Sequence, residues 1–340
     1  MKKFRTGVVG ATGYTGVELL RIIDQHPALS LSLVAGSKTA GSPLAASWPG
    51  LLDMYPDLMV DALDVGLLAE RCDIVFLALP HGVSANVAPD LVEAGLIVVD
   101  LGADFRLRDH QVYERFYGAH PKPEWLSRSV YGLTEWSRDA LIEARLIANP
   151  GCYPTATALA AKPLVDAGWG GHALVANCLS GVSGAGRKPS LRSLFSEVGE
   201  SAQPYGIAGS HRHGPEIEQT LKMTVSFTPH LVPMSRGMVA TVIASPARLP
   251  TPAELNECYE SAYATSPCVS VRADAPSTRD VRGCARAHVH VALDPDRGLI
   301  TSVCVIDNLL KGAASQAVQN LNVSLGFDEV AGLPMWPQIV

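Results

Sequence analysis

Gly7, Gly10, Gly13 and Gly16 recur every third residue near the start of the chain, between an apolar run at residues 6–9 and a helical pattern at residues 14–26. Glycines at a strand-to-helix turn let phosphates approach the backbone and the helix N-terminus, where the helix dipole and unpaired N–H groups favour negative charge. The spacing departs from Gly-x-Gly-x-x-Gly, so the position of the turn carries the weight: it opens a strand–helix–strand pattern. The expected role is a dinucleotide site formed by Gly10, Thr12, Gly13, Tyr14, Thr15 and Gly16, and the bland alternative is an ordinary tight turn.

The next apolar run, residues 31–35, leads into Gly36-Ser37-Lys38. An NAD-selective site usually places a carboxylate here on the ribose hydroxyls, whereas Ser37 and Lys38 suit a 2′-phosphate, so NADPH is expected. Further apolar runs at 74–79, 96–100 and 146–148 alternate with a helical stretch at 84–94. Uninterrupted apolar strands imply a parallel sheet covered on both faces. After about Pro150 the texture changes to strands at 173–178, 224–227, 237–244, 287–293 and 299–306 with few helices between them, which predicts an α+β region with a mixed or antiparallel sheet. One helix there is well signalled by Thr251-Pro252-Ala253-Glu254, a capping box with proline at its first helical position.

At 340 residues and 47% hydrophobic content the chain has room for two domains. The expected class is α/β: a Rossmann-type parallel-sheet domain over 1–149, and an α+β catalytic and oligomerisation domain with a mixed sheet over 150–310. An amphipathic helix at about 311–326 is expected to pack back on the first domain. A net charge of −6 with scattered basic residues argues against nucleic acid. No run approaches the length of a membrane span, and glycines and threonines break the first apolar stretch before a signal-peptide core forms. Seven cysteines without a Cys-x-x-Cys pair argue against a disulfide framework or structural zinc, and fit a reducing cytoplasm.

Asn149-Pro150-Gly151-Cys152-Tyr153-Pro154-Thr155 lies between a short apolar strand and a helical stretch at 155–167, which puts Cys152 at a helix N-terminus. A helix start favours the thiolate and can hold a developing oxyanion, so Cys152 is the candidate nucleophile, whereas Cys178 and Cys304 read as buried structural residues. A thiolate nucleophile needs a base. The polar cluster His211-Arg212-His213-Gly214-Pro215-Glu216 supplies two candidates, with His213 preferred, His211 left open, and Glu216 as the group that orients or charge-stabilises the imidazole. A metal held by these histidines and Cys152 lacks supporting ligand spacing, so none is expected. His288 and His290, near Cys284, read as packing or surface residues. The glycine-rich stretch Ser180-Gly181-Val182-Ser183-Gly184-Ala185-Gly186-Arg187-Lys188 is not a serine-hydrolase elbow; its backbone, at Gly184, is expected to line the nicotinamide and substrate cleft. Arg106, Arg187 and Arg236 stand beside turn-like sequence and are candidates for anionic substrate groups, each with a plain salt bridge as its alternative.

Taken together, Gly10-Ala-Thr-Gly-Tyr-Thr-Gly16, Phe76-Leu-Ala-Leu-Pro-His-Gly82, Asp100-Leu-Gly-Ala-Asp-Phe-Arg106, Tyr131-Gly-Leu-Thr-Glu135, the Asn149–Thr155 and Ser180–Arg187 motifs, the His211–Glu216 cluster, Phe227-Thr-Pro-His-Leu-Val-Pro233 and Asp307-Asn-Leu-Leu-Lys-Gly-Ala-Ala314 resemble the N-acetyl-gamma-glutamyl-phosphate reductase family nearly end to end. The resemblance implies the architecture and thioester mechanism shared with aspartate-semialdehyde and glyceraldehyde-3-phosphate dehydrogenases. It further implies NADPH-dependent reduction of a small-molecule acyl phosphate, the third step of arginine biosynthesis, by a homo-oligomer, dimer or tetramer. Leu179, where a lysine is expected, and Gly283-Cys284-Ala285-Arg286, which replaces a more polar segment, depart from the pattern and bear on substrate contacts. Reduction of the homologous aminoadipyl phosphate in lysine synthesis is the nearest alternative; a non-catalytic NADP-binding sensor and a metal-dependent hydrolase are more distant.

Overall fold

The structure, a computed structural model, describes residues 3–339. The chain divides into two compact units, Met1–Pro150 with Ala313–Leu333, and Gly151–Gly312 with Pro334–Val340. No helix among the described residues is long and apolar enough to cross a membrane.

The first unit is built on β1 (Phe4–Val9), β2 (Leu29–Ala35), β3 (Ile74–Leu77), β4 (Ile97–Asp100), β5 (Val130–Tyr131) and β6 (Leu146–Ala148). They form one sheet in the order β2-β1-β3-β4-β6-β5, and every pair is parallel. The expected doubly wound sheet is thus borne out. Val8, Val9, Ile74, Val75, Phe76 and Leu77 are all fully buried, as strands covered on both faces require. Strand order reverses at β1, whose neighbours β2 and β3 end level with it: Val9 pairs with Ala35 on one side and Leu77 on the other. That switch point, at the carboxyl ends of the strands, is where open α/β sheets bind ligands. The strand expected to reach residue 79 ends at Leu77, because the chain turns out of the sheet ahead of Pro80. Two-residue β5 was not legible in the sequence, being too short to show a period.

The C-terminal helix of this unit, Ser315–Ser324, is not the amphipathic element expected. Ser315, Gln316, Gln319, Asn320 and Asn322 are all buried. Their polar groups have specific partners: the Asn320 amide donates to Gly132 O at 2.7 Å and Asn149 Oδ1 at 3.1 Å, and Gln316 donates to Gly132 O and Thr134 Oγ1. A Cβ on Gly132 would lie 2.4 Å from the Asn320 amide nitrogen, so only glycine admits this packing.

The second unit holds β7 (Leu174–Gly181), β8 (Gln203–Pro204), β9 (Val225–Val232), β10 (Met238–Ala244), β11 (Val269–Val271), β12 (Ala287–Asp294) and β13 (Leu299–Ile306). They form a mixed sheet in the order β11-β12-β13-β10-β7-β9-β8. One face is dry, with Ala176, Cys178, Ala240, Val242, Ile300 and Cys304 fully buried, and the helix Cys152–Asp166 packs against β10 and β13. Pro163 lies inside that helix and has no N–H for the Leu159 carbonyl. The Tyr263 hydroxyl donates to Leu159 O instead, and Tyr259 donates to Ala160 O at 2.6 Å. Both tyrosines come from the helix Pro252–Tyr263, whose start is the expected capping box: Glu254 N donates to Thr251 Oγ1, and Thr251 N to Glu254 Oε2.

Candidate active site

In the first unit, Gly10 has φ +91°, and a Cβ there would lie 2.3 Å from the Ala78 carbonyl oxygen just past β3. Its N–H donates to Ala35 O at the end of β2, at 2.7 Å. Gly10 is therefore wedged among the ends of β1, β2 and β3, where a side chain has no room. A Cβ on Gly16 would meet Gly10 O at 2.3 Å, so this glycine lets the following helix sit tightly on the turn. Gly13 is different: the nearest atom to a Cβ there is Gly10 O at 3.5 Å. It caps the helix Tyr14–Gln25 with no side-chain hydrogen bond and no acidic residue in the first turn. The result is an open cradle of first-turn amides, and these residues fit a dinucleotide pyrophosphate. Thr12, Tyr14 and Thr15 are partly exposed around it, with the Tyr14 ring 6.0 Å from Trp48. Ser37 and Lys38 are exposed two and three residues past Ala35, the residue that receives the Gly10 N–H.

The turn after β3 is fixed by Asp104, whose buried carboxylate accepts from Gly82 N at 2.8 Å, Ala85 N at 2.9 Å and the Tyr113 hydroxyl at 3.0 Å. Asp100, fully buried beside it, is pushed up to about 7 by burial and by the charge of Asp104. Arg106 is only 6% exposed, and its guanidinium donates to Asn149 O at 2.7 Å and Leu101 O at 2.8 Å. Within this unit it fastens backbone, which the sequence did not reveal.

In the second unit Cys152 is the first residue of its helix and Gly151 is the cap, three residues earlier than the stretch expected from 155. Pro154 is no obstacle, because first-turn residues have no intrahelical acceptor for an N–H. The cap amide is taken by a side chain remote in sequence: Glu216, 1% exposed, accepts from Gly151 N at 2.9 Å. Glu216 is the third residue of the helix Gly214–Leu221, and His213 is that helix's cap. The two helix starts thus meet at Gly151, the residue before Cys152.

Both imidazoles stand edge-on to Tyr153, the neighbour of Cys152, with ring centroids 5.7 Å away for His211 and 5.9 Å for His213, and lie 5.0 Å from each other. They are not equivalent. Burial, helped by the Arg212 charge, lowers His211 to about 4, and its Nδ1 accepts the His213 backbone N–H at 3.1 Å. A nitrogen that accepts carries no proton, so His211 is neutral with its proton on Nε2. Tyr205, which the sequence did not single out, completes the cluster: its hydroxyl is 3.0 Å from that of Tyr153, its ring packs on His211, and burial pushes it up to about 12.

Gly184 lies on a short 3-10 turn beside Ser180 Oγ, and Arg187 is exposed just past it. Arg236 is half-buried, with Nη1 3.5 Å from Asp307 Oδ2. Cys178 and Cys304 are fully buried, and burial pushes Cys178 up to about 12. Among the described residues no group of three or more His, Cys, Asp or Glu side chains could hold a metal ion.

With this geometry in view, two families match the chain: semialdehyde dehydrogenase, NAD binding domain, over residues 5–144, and semialdehyde dehydrogenase, dimerisation domain, over residues 152–308. The chain is 49% identical to the N-acetyl-gamma-glutamyl-phosphate reductase of Halorhodospira halophila over 345 residues, covering 96% of this chain and 97% of the relative. It is 46% identical to that of Ectopseudomonas mendocina over 339 residues, covering 97% of each. The chain belongs to the N-acetyl-gamma-glutamyl-phosphate reductase family. Solved structures agree on the fold. Aspartate semialdehyde dehydrogenase II of Vibrio cholerae aligns at a TM-score of 0.72 and 19% identity, covering 96% of this chain and 99% of that one. The NADP complex of the Candida albicans aspartate semialdehyde dehydrogenase gives the same TM-score and identity, covering 95% and 99%.

Proposed function

We propose that the chain reduces N-acetyl-gamma-glutamyl phosphate to N-acetylglutamate semialdehyde and phosphate with NADPH, through a thioester on Cys152. One observation supports this most: the thiol stands at a helix start whose cap amide is bound by the buried carboxylate of Glu216, with His211 and His213 both edge-on to the adjoining Tyr153. Cys152 Sγ attacks the acyl carbonyl, the carbon–oxygen bond to phosphate breaks, and inorganic phosphate leaves. NADPH, when bound, would supply the hydride that reduces the thioester. His213 takes the thiol proton at the start and returns a proton to the developing alkoxide; it then takes back the hydroxyl proton as the thiohemiacetal's carbon–sulfur bond breaks, which releases the aldehyde and restores the thiolate.

His211 is held neutral by burial and is occupied at Nδ1, so its part is to hold the His213 backbone. Glu216 holds the nucleophile's helix start through Gly151. The glycine turn and Ser37-Lys38 would hold the dinucleotide, its pyrophosphate on the helix Tyr14–Gln25 and its 2′-phosphate near Lys38. Arg106, Arg187 and Arg236 are the candidates for the substrate's anionic groups. A second copy of the chain covers the wetter face of the mixed sheet, where Val175 is 42% exposed and Thr241 and Ile243 are half-buried; the match to a dimerisation domain supports a homodimer.

The arginine-pathway substrate rests on relatives that all bear the glutamyl name. The test is NADP⁺ reduction in the presence of phosphate with N-acetylglutamate semialdehyde or with its homologue one methylene longer. One methylene in a shaped pocket is worth about 1 to 3 kcal/mol, so kcat/KM should favour the shorter substrate by roughly 10- to 200-fold. Equal values for the two refute the substrate assignment.

A further inference from the structure

Past β13 the chain does not continue directly into an ordinary helix: residues Leu310–Ala314 form a π-helical turn. A bond of the same five-residue span leads into it, from Gly312 N to Asp307 O at 3.0 Å. Such turns are rare and occur mostly as single turns, frequently at functional sites. This one is set by a fully buried carboxylate. Asp307 Oδ1 accepts from Leu309 N at 2.9 Å and Leu310 N at 3.2 Å, and Oδ2 accepts from Gly283 N at 2.8 Å and lies 3.5 Å from Arg236 Nη1. A buried charge is tolerated when it is bonded this fully. The adjacent Asn308 accepts from Gly237 N at 2.8 Å and donates to Ser183 Oγ at 2.9 Å, so the same strap also holds the glycine-rich loop.

Gly312 sits where this turn meets the thiol. A Cβ built on it would lie 2.8 Å from Cys152 Cβ and 3.3 Å from both Cys152 Cα and Ile306 Cδ1. Its backbone is not in the left-handed region, so the glycine is required for space rather than for conformation. Local stability alone would prefer alanine in a helical turn. We infer that Gly312, seated by the Asp307-anchored π-turn, is a positioning residue for Cys152: the turn's bare backbone forms the wall that fixes where the nucleophile's Cβ stands. The inference rests on Cys152 as nucleophile.

The experiment is a double-mutant cycle on the full chain, combining Gly312→Ala with Cys152→Gly and reading thermal unfolding, together with activity and the pH profile of Cys152 alkylation by iodoacetamide in Gly312→Ala alone. Gly312→Ala is expected to lower Tm next to Cys152 and to lose most of that effect in the Cys152→Gly background, where the opposing Cβ is gone. Its kcat should fall on the order of tenfold to a hundredfold, with KM and the NADPH Kd within about twofold and the alkylation profile displaced, because small misplacements of a reacting group cost that much. If Gly312→Ala does not fold alone but folds with Cys152→Gly, the contact is upheld. Equal destabilisation in both backgrounds, failure to fold in both, or wild-type kcat and alkylation overturns it. A Cys152→Ser variant that keeps turnover sinks the nucleophile reading and leaves the stability coupling standing, so the two failures are distinguishable.

Discussion

Two helices of this molecule begin in the same way, on a glycine cap just after a parallel strand of the first sheet, and are finished differently. The helix Tyr14–Gln25 starts at Gly13 with no side-chain partner and no acid in its first turn. The helix Cys152–Asp166 starts at Gly151, whose amide is bound by Glu216. The first start has its cap amide closed on Gly10 O at 3.1 Å and no side-chain acid for the amides beyond it, which suits an anion that arrives with the ligand. The second has its anion built in, and the residue after the cap is a thiol that must be held still rather than left open. A helix N-terminus is thus a binding site or a mounting depending on what its cap amide meets.

Removing the built-in anion should have the larger effect. Glu216→Ala leaves the Gly151 amide buried without its acceptor, a cost of about 1 to 3 kcal/mol in stability, and frees the nucleophile's helix start, for which a loss on the order of a hundredfold in kcat is expected. Glu216→Gln keeps the accepting oxygen and should fold as well as wild type with a smaller loss. Fluorescence titration should find the same NADPH Kd in all three proteins; a shared loss of NADPH affinity would mean that the two helix starts are not separate devices.

The proposed partner of the cofactor's 2′-phosphate, Lys38, lies apart from the open start and can be removed by itself. A hydrogen bond to a charged group is worth about 1.5 to 3 kcal/mol, so Lys38→Ala should weaken NADPH binding by roughly ten- to a hundredfold while leaving NADH unchanged. Equal weakening of both cofactors would assign Lys38 to the fold or the pyrophosphate instead.

The smallest effect is on stability, and the two units should differ in sign. Asp100 in the first unit has its folded pKa raised to about 7 by burial and Asp104. The folded state therefore holds a proton that the unfolded state releases, and stability falls as pH rises from about 4 to about 7, then levels. His211 in the second unit is depressed to about 4, so its contribution is full above the unfolded value and is lost as pH falls from about 6.5 to 4. Asp100→Asn keeps an acceptor for Gly102 N and should raise Tm by a few degrees at pH 8 and by little at pH 4. The same change in Tm at both pH values would contradict the raised pKa.

The same contrast explains what the sequence made legible. The glycine turn could be read because its determinants are local: Gly10, Gly13 and Gly16 lie within one turn of chain, and the strand and helix periods flank them. Cys152 at a helix start was readable for the same reason. Its supports were not, because they come from elsewhere. Glu216 was named for the imidazole, but its bond to Gly151, 65 residues away, gives no signal, and neither does Gly312, 160 residues from Cys152. Arg106, a candidate for the substrate, donates to the Asn149 and Leu101 carbonyls, bonds that the sequence did not signal because a guanidinium beside a turn reads the same whether it faces a ligand, backbone or both. The helix Ser315–Ser324 was misjudged because buried Gln316, Asn320 and Asn322 mimic a solvated face; their partners, around Gly132, Asn149 and Ala331, are visible only in three dimensions.

The central claim is that Cys152 carries the acyl group, and the most direct measurement is the intact mass of the protein after mixing with freshly generated N-acetyl-gamma-glutamyl phosphate in the absence of NADPH. One acyl adduct per chain is expected, mapped to Cys152, with one equivalent of phosphate released, discharge of the adduct on adding NADPH, and no adduct on Cys152→Ala. Phosphate release that requires NADPH and leaves no adduct, or an adduct on another residue, would contradict it.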